Sequence, residues 1–452
     1  MVDATDKDLR TPLHQAAWSY SQNAISTVVS HGATIDARDK DSQTPLYEAA
    51  WNNSEDAIHA LVSHGATINA RDKDWRTPLH QAAWNNCEKA IRTLVLHDAR
   101  IDASDKDCCT ALHLATWNNS QEAIRTLVLH GATVDARDND SRTPLYTAAW
   151  YNSGDAIHAL FSHGATIDAR DKDSRTPLHE AAWNNCEDAI HALVSHGAMI
   201  DARDTDCCTP LQLAAWNNSL EAIHTLVLNG ATIDARDKDS LTPLYEAALY
   251  NSVDAIHALV SHGATIDARD KDSCTPFHKA ALKNYENAIH AIVSHGATID
   301  ARDNDCCTLL HLTAWNNSQE AFLALVLHGA TINASDTDFL TPLHKAFLCN
   351  SQDSIHTLVS LGATIDARDK FSLTPLYMAA MINSQDSIRT LVLHGATFDE
   401  LDNHFWSPFH QTPLRNFRNA MRAAVVHGTT VDVGGEHSRT PPDSSGMEMG
   451  NL

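Results

Sequence analysis

Histidine and cysteine are the residues of this chain best suited to chemistry. The sequence has 28 histidines and 10 cysteines, residue types that ligate zinc and act as general bases and nucleophiles. Six of the cysteines form adjacent pairs, Cys108–Cys109, Cys207–Cys208 and Cys306–Cys307. Whether such residues form a site depends on the elements that position them.

One repeat of 33 residues runs along nearly the whole chain. The stretch TPLHQAAWNN begins at Thr77 and returns as TPLYEAAWNN at Thr44 and as TPLHEAAWNN at Thr176. The register holds over residues 5–433, which is 429 residues or 13 repeats. A fixed period of this size is typical of a solenoid, in which a repeat buries its apolar face against its neighbours.

Each repeat predicts two short helices joined by a turn. In the second repeat, Thr44 suits the N-cap of a first helix and Pro45 its first position. Asn53 is placed to end this helix in the left-handed conformation. Ser54 then caps a second helix, which Gly65 ends. A charged, extended link leads to the next repeat.

The repeats resemble the ankyrin repeat, whose pattern contains T-P-L-H-x-A-A and a second helix ending in Gly-Ala. The resemblance covers 429 of the 452 residues. It implies an all-α ankyrin-repeat solenoid of stacked helix–turn–helix units with β-hairpin finger loops. It also implies binding surfaces at the finger tips and along the first helices. The family's finger glycine is replaced, by Ser42 and Trp75 for example, which costs free energy where φ is positive.

The two ends of the chain differ from the array. We expect residues 1–4 to be an N-terminal lead and residues 5–433 to be the array. Its last repeat, 401–433, is predicted to be a degenerate C-terminal cap, because Pro413 falls inside its first helix. Residues 434–452 are rich in Gly, Pro and Ser and predict a disordered tail.

The repeat explains the histidines without a metal or catalysis. Equivalent positions of stacked helices lie about 8–10 Å apart, too far for two ligands of one zinc ion at about 2.0–2.1 Å. Histidines such as His80 are predicted to bond neighbouring backbone, and those such as His64 to favour a helix C-terminus. The chain also lacks G-x-S-x-G, P-loop and Cys-x-x-Cys motifs. We therefore expect no catalytic residue, metal or cofactor, and no enzymatic activity.

Charge and composition restrict the partners. A formal net charge of −24 argues against nucleic acid, which needs a basic footprint, and is compatible with a cationic or neutral partner. No apolar run approaches the roughly 20 residues of a membrane span. The N-terminus has no apolar leader, so we expect reduced thiols and a cytoplasmic location, with the nucleus left open.

A tryptophan recurs at the end of the first helix, on the side away from the apolar alanines. In the ankyrin framework this position is exposed and faces the groove, and an asparagine often follows it, as at Asn52, Asn85 and Asn118. The indoles either seal the seam between neighbouring first helices or bind an extended or basic peptide. The tryptophan ladder consists of Trp18, Trp51, Trp84, Trp117, Trp150, Trp183, Trp216 and Trp315.

The finger positions offer a second candidate partner surface. They carry Arg76, Arg142 and Arg175 in the N-terminal half and Leu340 and Leu373 in the C-terminal half. Apolar finger tips favour a protein contact.

Two asparagines raise the question of a modification. Asn69 and Asn333 fall on the ankyrin consensus asparagine, which the resemblance makes a possible target of an asparaginyl hydroxylase. The alternative is that they are hydrogen-bonding residues of the hairpin.

The function predicted is a non-enzymatic protein–protein interaction scaffold that binds through its groove and finger tips. The alternative is a substrate-recognition adaptor of a larger complex of the ubiquitin-ligase type, or an effector protein of an intracellular microbe.

Overall fold

The computed structural model describes residues 2–19, 21–382 and 384–396, in which short helices alternate with turns and loops. They form 24 helices in 12 pairs, a first helix of seven or eight residues followed by a second of nine. The all-α solenoid predicted from the repeat is confirmed.

The chain divides into two compact units, Met1–Asn304 and Asp305–Leu452. The helices of the first unit are α1 (Pro12–Trp18), α2 (Gln22–Ser30), α3 (Pro45–Trp51), α4 (Glu55–Ser63), α5 (Pro78–Trp84), α6 (Glu88–Leu96), α7 (Ala111–Trp117), α8 (Gln121–Leu129), α9 (Pro144–Trp150), α10 (Gly154–Ser162), α11 (Pro177–Trp183), α12 (Glu187–Ser195), α13 (Pro210–Trp216), α14 (Leu220–Leu228), α15 (Pro243–Leu249), α16 (Val253–Ser261), α17 (Pro276–Leu282) and α18 (Glu286–Ser294). Those described in the second unit are α19 (Leu309–Asn316), α20 (Gln319–Leu327), α21 (Pro342–Leu348), α22 (Gln352–Ser360), α23 (Pro375–Met381) and α24 (Gln385–Leu393).

The helices of each compact unit form two layers. Within the first unit, each first helix packs on the next first helix, as α5 does on α7, and each second helix packs on the next second helix, as α6 does on α8. The layers meet along a core that includes the fully buried Leu79 and Ala83 of α5 and Ile91 of α6. The alanines keep the first helices thin enough to stack closely.

The ends of the first helix follow from local sequence. Thr77 precedes α5 in an extended conformation, Pro78 takes the first helical position, and the imidazole Nδ1 of His80 accepts the backbone N–H of Thr77 at 3.1 Å. After the helix, Asn86 adopts φ +57°. This confirms the prediction that asparagine replaces the terminal glycine in the left-handed region.

The same asparagines tie each repeat to the next one. The side-chain oxygen of Asn86 accepts the backbone N–H of Ala123 at 2.9 Å, in the first turn of α8. Asn53 does the same for Ala90 in α6, also at 2.9 Å. The residue that ends one first helix therefore caps the second helix of the following repeat.

The fingers are short turns rather than paired strands. The N–H of Asp72 donates to the carbonyl of Arg76 at 3.0 Å, and one carboxylate oxygen of Asp72 accepts two backbone N–H groups at 2.9 Å. Across the described ranges, the predicted β-hairpins reduce to isolated bridge residues, as in the bridge between Ser104 and Thr110. A loop this short is closed by its aspartate side chain, which acts as an Asx turn.

The position of the missing finger glycine has positive φ throughout the fingers described. Examples are Ser42 at +63°, Trp75 at +64° and Phe339 at +60°. These residues adopt a conformation that costs free energy for a side chain, as the replacement of glycine predicts. The predicted C-terminal cap at 401–433 and the tail at 434–452 lie outside the described residues.

Candidate functional site

The tryptophan ladder lies at the C-terminal ends of the first helices, half exposed. The exposed fraction is 39% for Trp150 and 47% for Trp315, the two limits among the five most exposed members. Trp84, Trp183 and Trp216 are more covered but not buried. Each indole thus covers part of its own stack and leaves part of its surface open to solvent.

Several ladder members contact aromatic rings of the next repeat. Trp84 and Trp117 have ring centroids 5.7 Å apart, and Trp183 and Trp216 have theirs 5.4 Å apart. Such tilted and edge-on pairs stabilise beyond the area they bury. The indoles therefore do take part in the seam between repeats.

Two tyrosines that were not predicted as site residues extend this aromatic surface. Tyr151 stacks on Trp117 at 5.2 Å, and Tyr250 stacks on Trp216 at 4.4 Å with an interplanar angle of 14°. Both tyrosines take the place of the asparagine after the ladder position. This replacement of asparagine by tyrosine was the feature of the sequence that could have identified them.

The asparagines beside the ladder bond to the stack. The side-chain N–H groups of Asn52 and Asn118 donate to the carbonyls of Trp18 and Trp84, at 3.1 and 2.6 Å. The buried amide nitrogen of Asn85 has no hydrogen-bond partner in the structure. Two of the three predicted binding amides are therefore already used in joining repeats.

The predicted finger arginines lie half buried between repeats, beside the ladder rather than at the tips. The Nε atoms of Arg76 and Arg175 lie 3.5 and 3.7 Å from carboxylates of the next repeat. The guanidinium of Arg142 lies over the rings of Tyr146 and Trp150, 5.3 and 5.5 Å from their centroids. One open hollow of about 260 Å³ is lined by Trp51, Arg76, His80, Gln81, Trp84 and Leu114.

The apolar tips are formed by other residues than predicted. Leu340 and Leu373 are half buried, whereas Trp75, Phe339 and Phe371 are exposed by 53%, 60% and 69%. Trp75 and Phe339 occupy the position of the missing finger glycine, where side chains point outward. A large apolar residue at a position that prefers glycine was the feature of the sequence that could have identified these tips.

The histidines of the first helices are structural. His80 accepts the Thr77 N–H through Nδ1, so its Nε2 carries the proton and donates to the carbonyl of Cys109 at 3.2 Å. Burial lowers the pKa of His80 to about 4. The ring therefore stays neutral near pH 7 and joins two successive repeats. Its bonding to neighbouring backbone was predicted.

Pairs of histidines at or near the second helices lie closer together than the repeat period predicted. His59 and His97, from non-equivalent positions of neighbouring repeats, have ring nitrogens 2.7 Å apart. The expected separation of about 8–10 Å applies to equivalent positions only. Within the residues described, no group of three or more histidine, cysteine or acidic side chains could hold a metal ion.

The cysteines and the two asparagines, Asn69 and Asn333, were the remaining candidates for chemistry. All 10 cysteines are free thiols. The side-chain oxygens of Asn69 and Asn333 accept the backbone N–H groups of Arg100 and Thr364, at 2.9 and 2.8 Å. Asp36 makes the same contact to Thr67, so the hydrogen-bonding role is common to Asp and Asn at this position. Hydroxylation there stays a prediction.

Known structures similar to this chain include an ankyrin repeat domain. No curated protein matches the sequence. The chain is similar to the crystal structure of the human ASB11 ankyrin repeat domain, with 26% identity over 49% of this chain and 99% of that chain and a TM-score of 0.45. No helix within the described ranges is long and apolar enough to cross a membrane.

The family itself is defined by a sequence match over most of the chain. The family model "Ankyrin repeats (3 copies)" matches residues 1–72, 70–138, 112–206, 164–237, 211–303 and 310–402. With its paired helices, capped starts and finger turns, the chain belongs to the ankyrin repeat family.

Proposed function

We propose that this chain is a non-enzymatic scaffold that binds protein partners on its first-helix face, along the tryptophan ladder and the fingers beside it. Ankyrin repeats indicate a protein–protein interaction scaffold, and the proposal assigns the surface. The single observation that carries it is that five ladder indoles remain 39–47% exposed, although two of them, Trp117 and Trp150, stack on Tyr151.

An exposed aromatic row favours binding for energetic reasons. Tryptophan is enriched among the residues that dominate binding energy, because it buries a large rigid surface at little entropic cost. The ladder indoles are held by neighbouring rings, as Trp117 is by Trp84 and Tyr151. Their orientation is therefore set before a partner arrives, which reduces the cost of ordering on binding.

Charge favours a cationic or extended partner over an acidic one. The net charge is −24, so long-range attraction accelerates encounters with basic proteins. The faces of indole rings attract lysine and arginine side chains as well. Arg142 over Trp150, at 5.5 Å, is an intramolecular example of that contact.

The test replaces Trp84, Trp117 and Trp150 together by alanine and measures thermal melting and the capture of partners from lysate. We expect capture to fall strongly and the melting temperature to fall moderately, because the indoles also contact rings of the neighbouring repeat. The matched control replaces the exposed Leu96, Leu129 and Leu228 of the second helices by alanine.

Two outcomes contradict the proposal. If the ladder variant loses much of its stability but retains its partners, the ladder only seals the stack. If the second-helix control loses the same partners, binding lies on the other face.

A further inference from the structure

The finger aspartates contact cations in several repeats. One carboxylate oxygen of each accepts backbone N–H groups of its own turn, as Asp39 does from Asp41 and Gln43. The other oxygen meets an arginine from the preceding finger. Arg10 Nε lies 3.8 Å from Asp39 and Arg76 Nε lies 3.5 Å from Asp105.

Other repeats supply the cation from the first helix instead. Lys279 Nζ lies 3.8 Å from Asp270 in the first compact unit, and Lys345 Nζ lies 2.9 Å from Asp336 in the second. The chain thus compensates these buried or half-buried carboxylates from one of two positions, as buried charge requires.

A glutamate at that first-helix position adds a second carboxylate, and an arginine then serves both. In α3, Glu48 lies 3.3 Å from Arg10, whose Nε also faces Asp39. One guanidinium therefore bridges an aspartate and a glutamate. Its planar fork of five donors suits two carboxylates better than an ammonium group does.

In a second repeat the equivalent arginine lies against an aromatic ring. Arg142 occupies the finger position of Arg10 four repeats later, and its guanidinium lies over the Trp150 ring at 5.5 Å. The facing glutamate is Glu180, which accepts a hydrogen bond from Tyr146 at 2.6 Å. The arrangement places one arginine among a ladder indole, a tyrosine and a glutamate.

A third pair of successive repeats has the acids and the indole but lacks the arginine. Asp237 and Glu246 occupy the positions of Asp39 and Glu48, and the finger position of Arg10 holds Cys208, a neutral thiol. Glu246 is only 6% exposed. The ion pairs and hydrogen bonds of the described residues include none to its carboxylate.

The electrostatics of this position reflect the missing cation. Burial raises the pKa of Glu246 to about 7, and the neighbouring Asp237 and Asp239 add to the rise. Burial and nearby acids, Asp237 and Glu246 among them, also raise the pKa of the Cys208 thiol to about 12. A positive charge entering here would meet two carboxylates and a neutral thiol.

We propose that Asp237, Glu246 and the indole of Trp216 form a receptor for an arginine side chain presented by a protein partner. The inference rests on the scaffold function proposed above and names the chemistry that one part of the ladder recognises. Trp216 corresponds to Trp150, over which Arg142 lies, and stacking on Tyr250 at 4.4 Å holds its ring in place. Indole faces attract guanidinium groups. The partner's arginine takes the place that Arg10 and Arg142 take in their own repeats.

The probe for the test is arginine amide, with citrulline amide as its neutral twin. The full chain is labelled with ¹³C at glutamate, and the Glu246 carboxyl signal, identified by its loss in Glu246→Gln, is followed by NMR against pH. We expect arginine amide to lower the apparent pKa of Glu246 by about half a pH unit or more. Citrulline amide, and sodium chloride at the same ionic strength, are expected to leave the pKa unchanged.

A self-ligand variant sharpens the test. Cys208→Arg puts an arginine at the position that Arg10 occupies in the first repeat. The Glu246 carboxyl should then ionise at lower pH, and its pKa should no longer respond to arginine amide. Glu180→Gln is the control, because that position already has Arg142 nearby, and it should leave the response intact. If Cys208→Arg does not fold, Trp216→Ala is expected to weaken the response by removing the aromatic face.

Two results would overturn the receptor. One is an equal effect of arginine amide and sodium chloride on Glu246, and the other is a Cys208→Arg chain that responds as the wild type does. The alanine variant of Trp84, Trp117 and Trp150 leaves these residues untouched. Failure of the ladder to bind partners and failure of this site to bind arginine can therefore be distinguished.

Discussion

The Nδ1 atom of His158 lies 2.7 Å from the Nε2 atom of His196 in the next repeat. The two rings meet edge to face, with centroids 4.8 Å apart. A hydrogen bond between two ring nitrogens needs one donor and one neutral acceptor, so the pair does not form when both rings are protonated. The same pair recurs at His59–His97, His224–His262 and His257–His295.

This relationship predicts how His196 titrates. Burial lowers the pKa of His196, and the nearby His158 lowers it further. We expect His158→Ala to raise the pKa of His196 part of the way towards the ordinary value of about 6.5, as measured by NMR titration of the ring protons. His191→Ala is the control, since its counterpart in the next repeat is Asn229. An unchanged His196 in the His158 variant would contradict the pairing.

The buried first-helix histidines predict loss of stability in acid. The pKa of His80 falls to about 4 by burial, so the unfolded chain binds a proton at higher pH than the folded chain does. The stabilising contribution is complete above about pH 6.5 and decreases as the pH falls towards 4, by about 2 kcal/mol at pH 5.

A glutamine in the same chain provides the matched variant. Gln212 occupies the equivalent position in α13, where it accepts from the Thr209 N–H and donates to the Leu241 carbonyl, both at 2.9 Å. We expect His80→Gln to keep the stability at pH 7 and to gain about 2 kcal/mol over the wild type at pH 5, in urea unfolding. His64→Gln, at an exposed histidine outside the first helices, is the control for the substitution itself. Parallel pH profiles for wild type and His80→Gln would refute the assignment.

The asparagine that ends each first helix has two roles that can be separated. Asn86→Asp keeps the acceptor oxygen and tolerates positive φ, so it should remain close to the wild type. Asn86→Gly keeps the conformation but loses the bond to Ala123, at a cost of about 1 kcal/mol. Asn86→Ala loses both, which adds about 1 kcal/mol more. Thermal unfolding of the three variants should give this order, and a Gly variant more stable than the Asp variant would count against the cross-repeat cap.

The repeat and the helices of each pair were predictable from sequence because they depend on local signals. Thr77 and Pro78 start a helix and Asn86 ends it through conformational preferences that act within a few residues. The exposure of the ladder indoles followed from their angular position on the helix. The bonding of His80 to neighbouring backbone also followed, because Thr77 lies three residues away.

The sequence by itself therefore determined the period, the paired helices, the turns and the face on which the tryptophans lie. Only the tertiary structure decided which residues of one repeat meet which residues of the next. His158 meets His196 at a separation of 38 residues, and Arg76 meets Asp105 at 29, while the repeat is 33 residues long. These offsets come from the way stacked repeats are displaced against each other, which linear spacing does not encode. The same displacement turned the finger arginines inward and left Glu246 facing a cysteine.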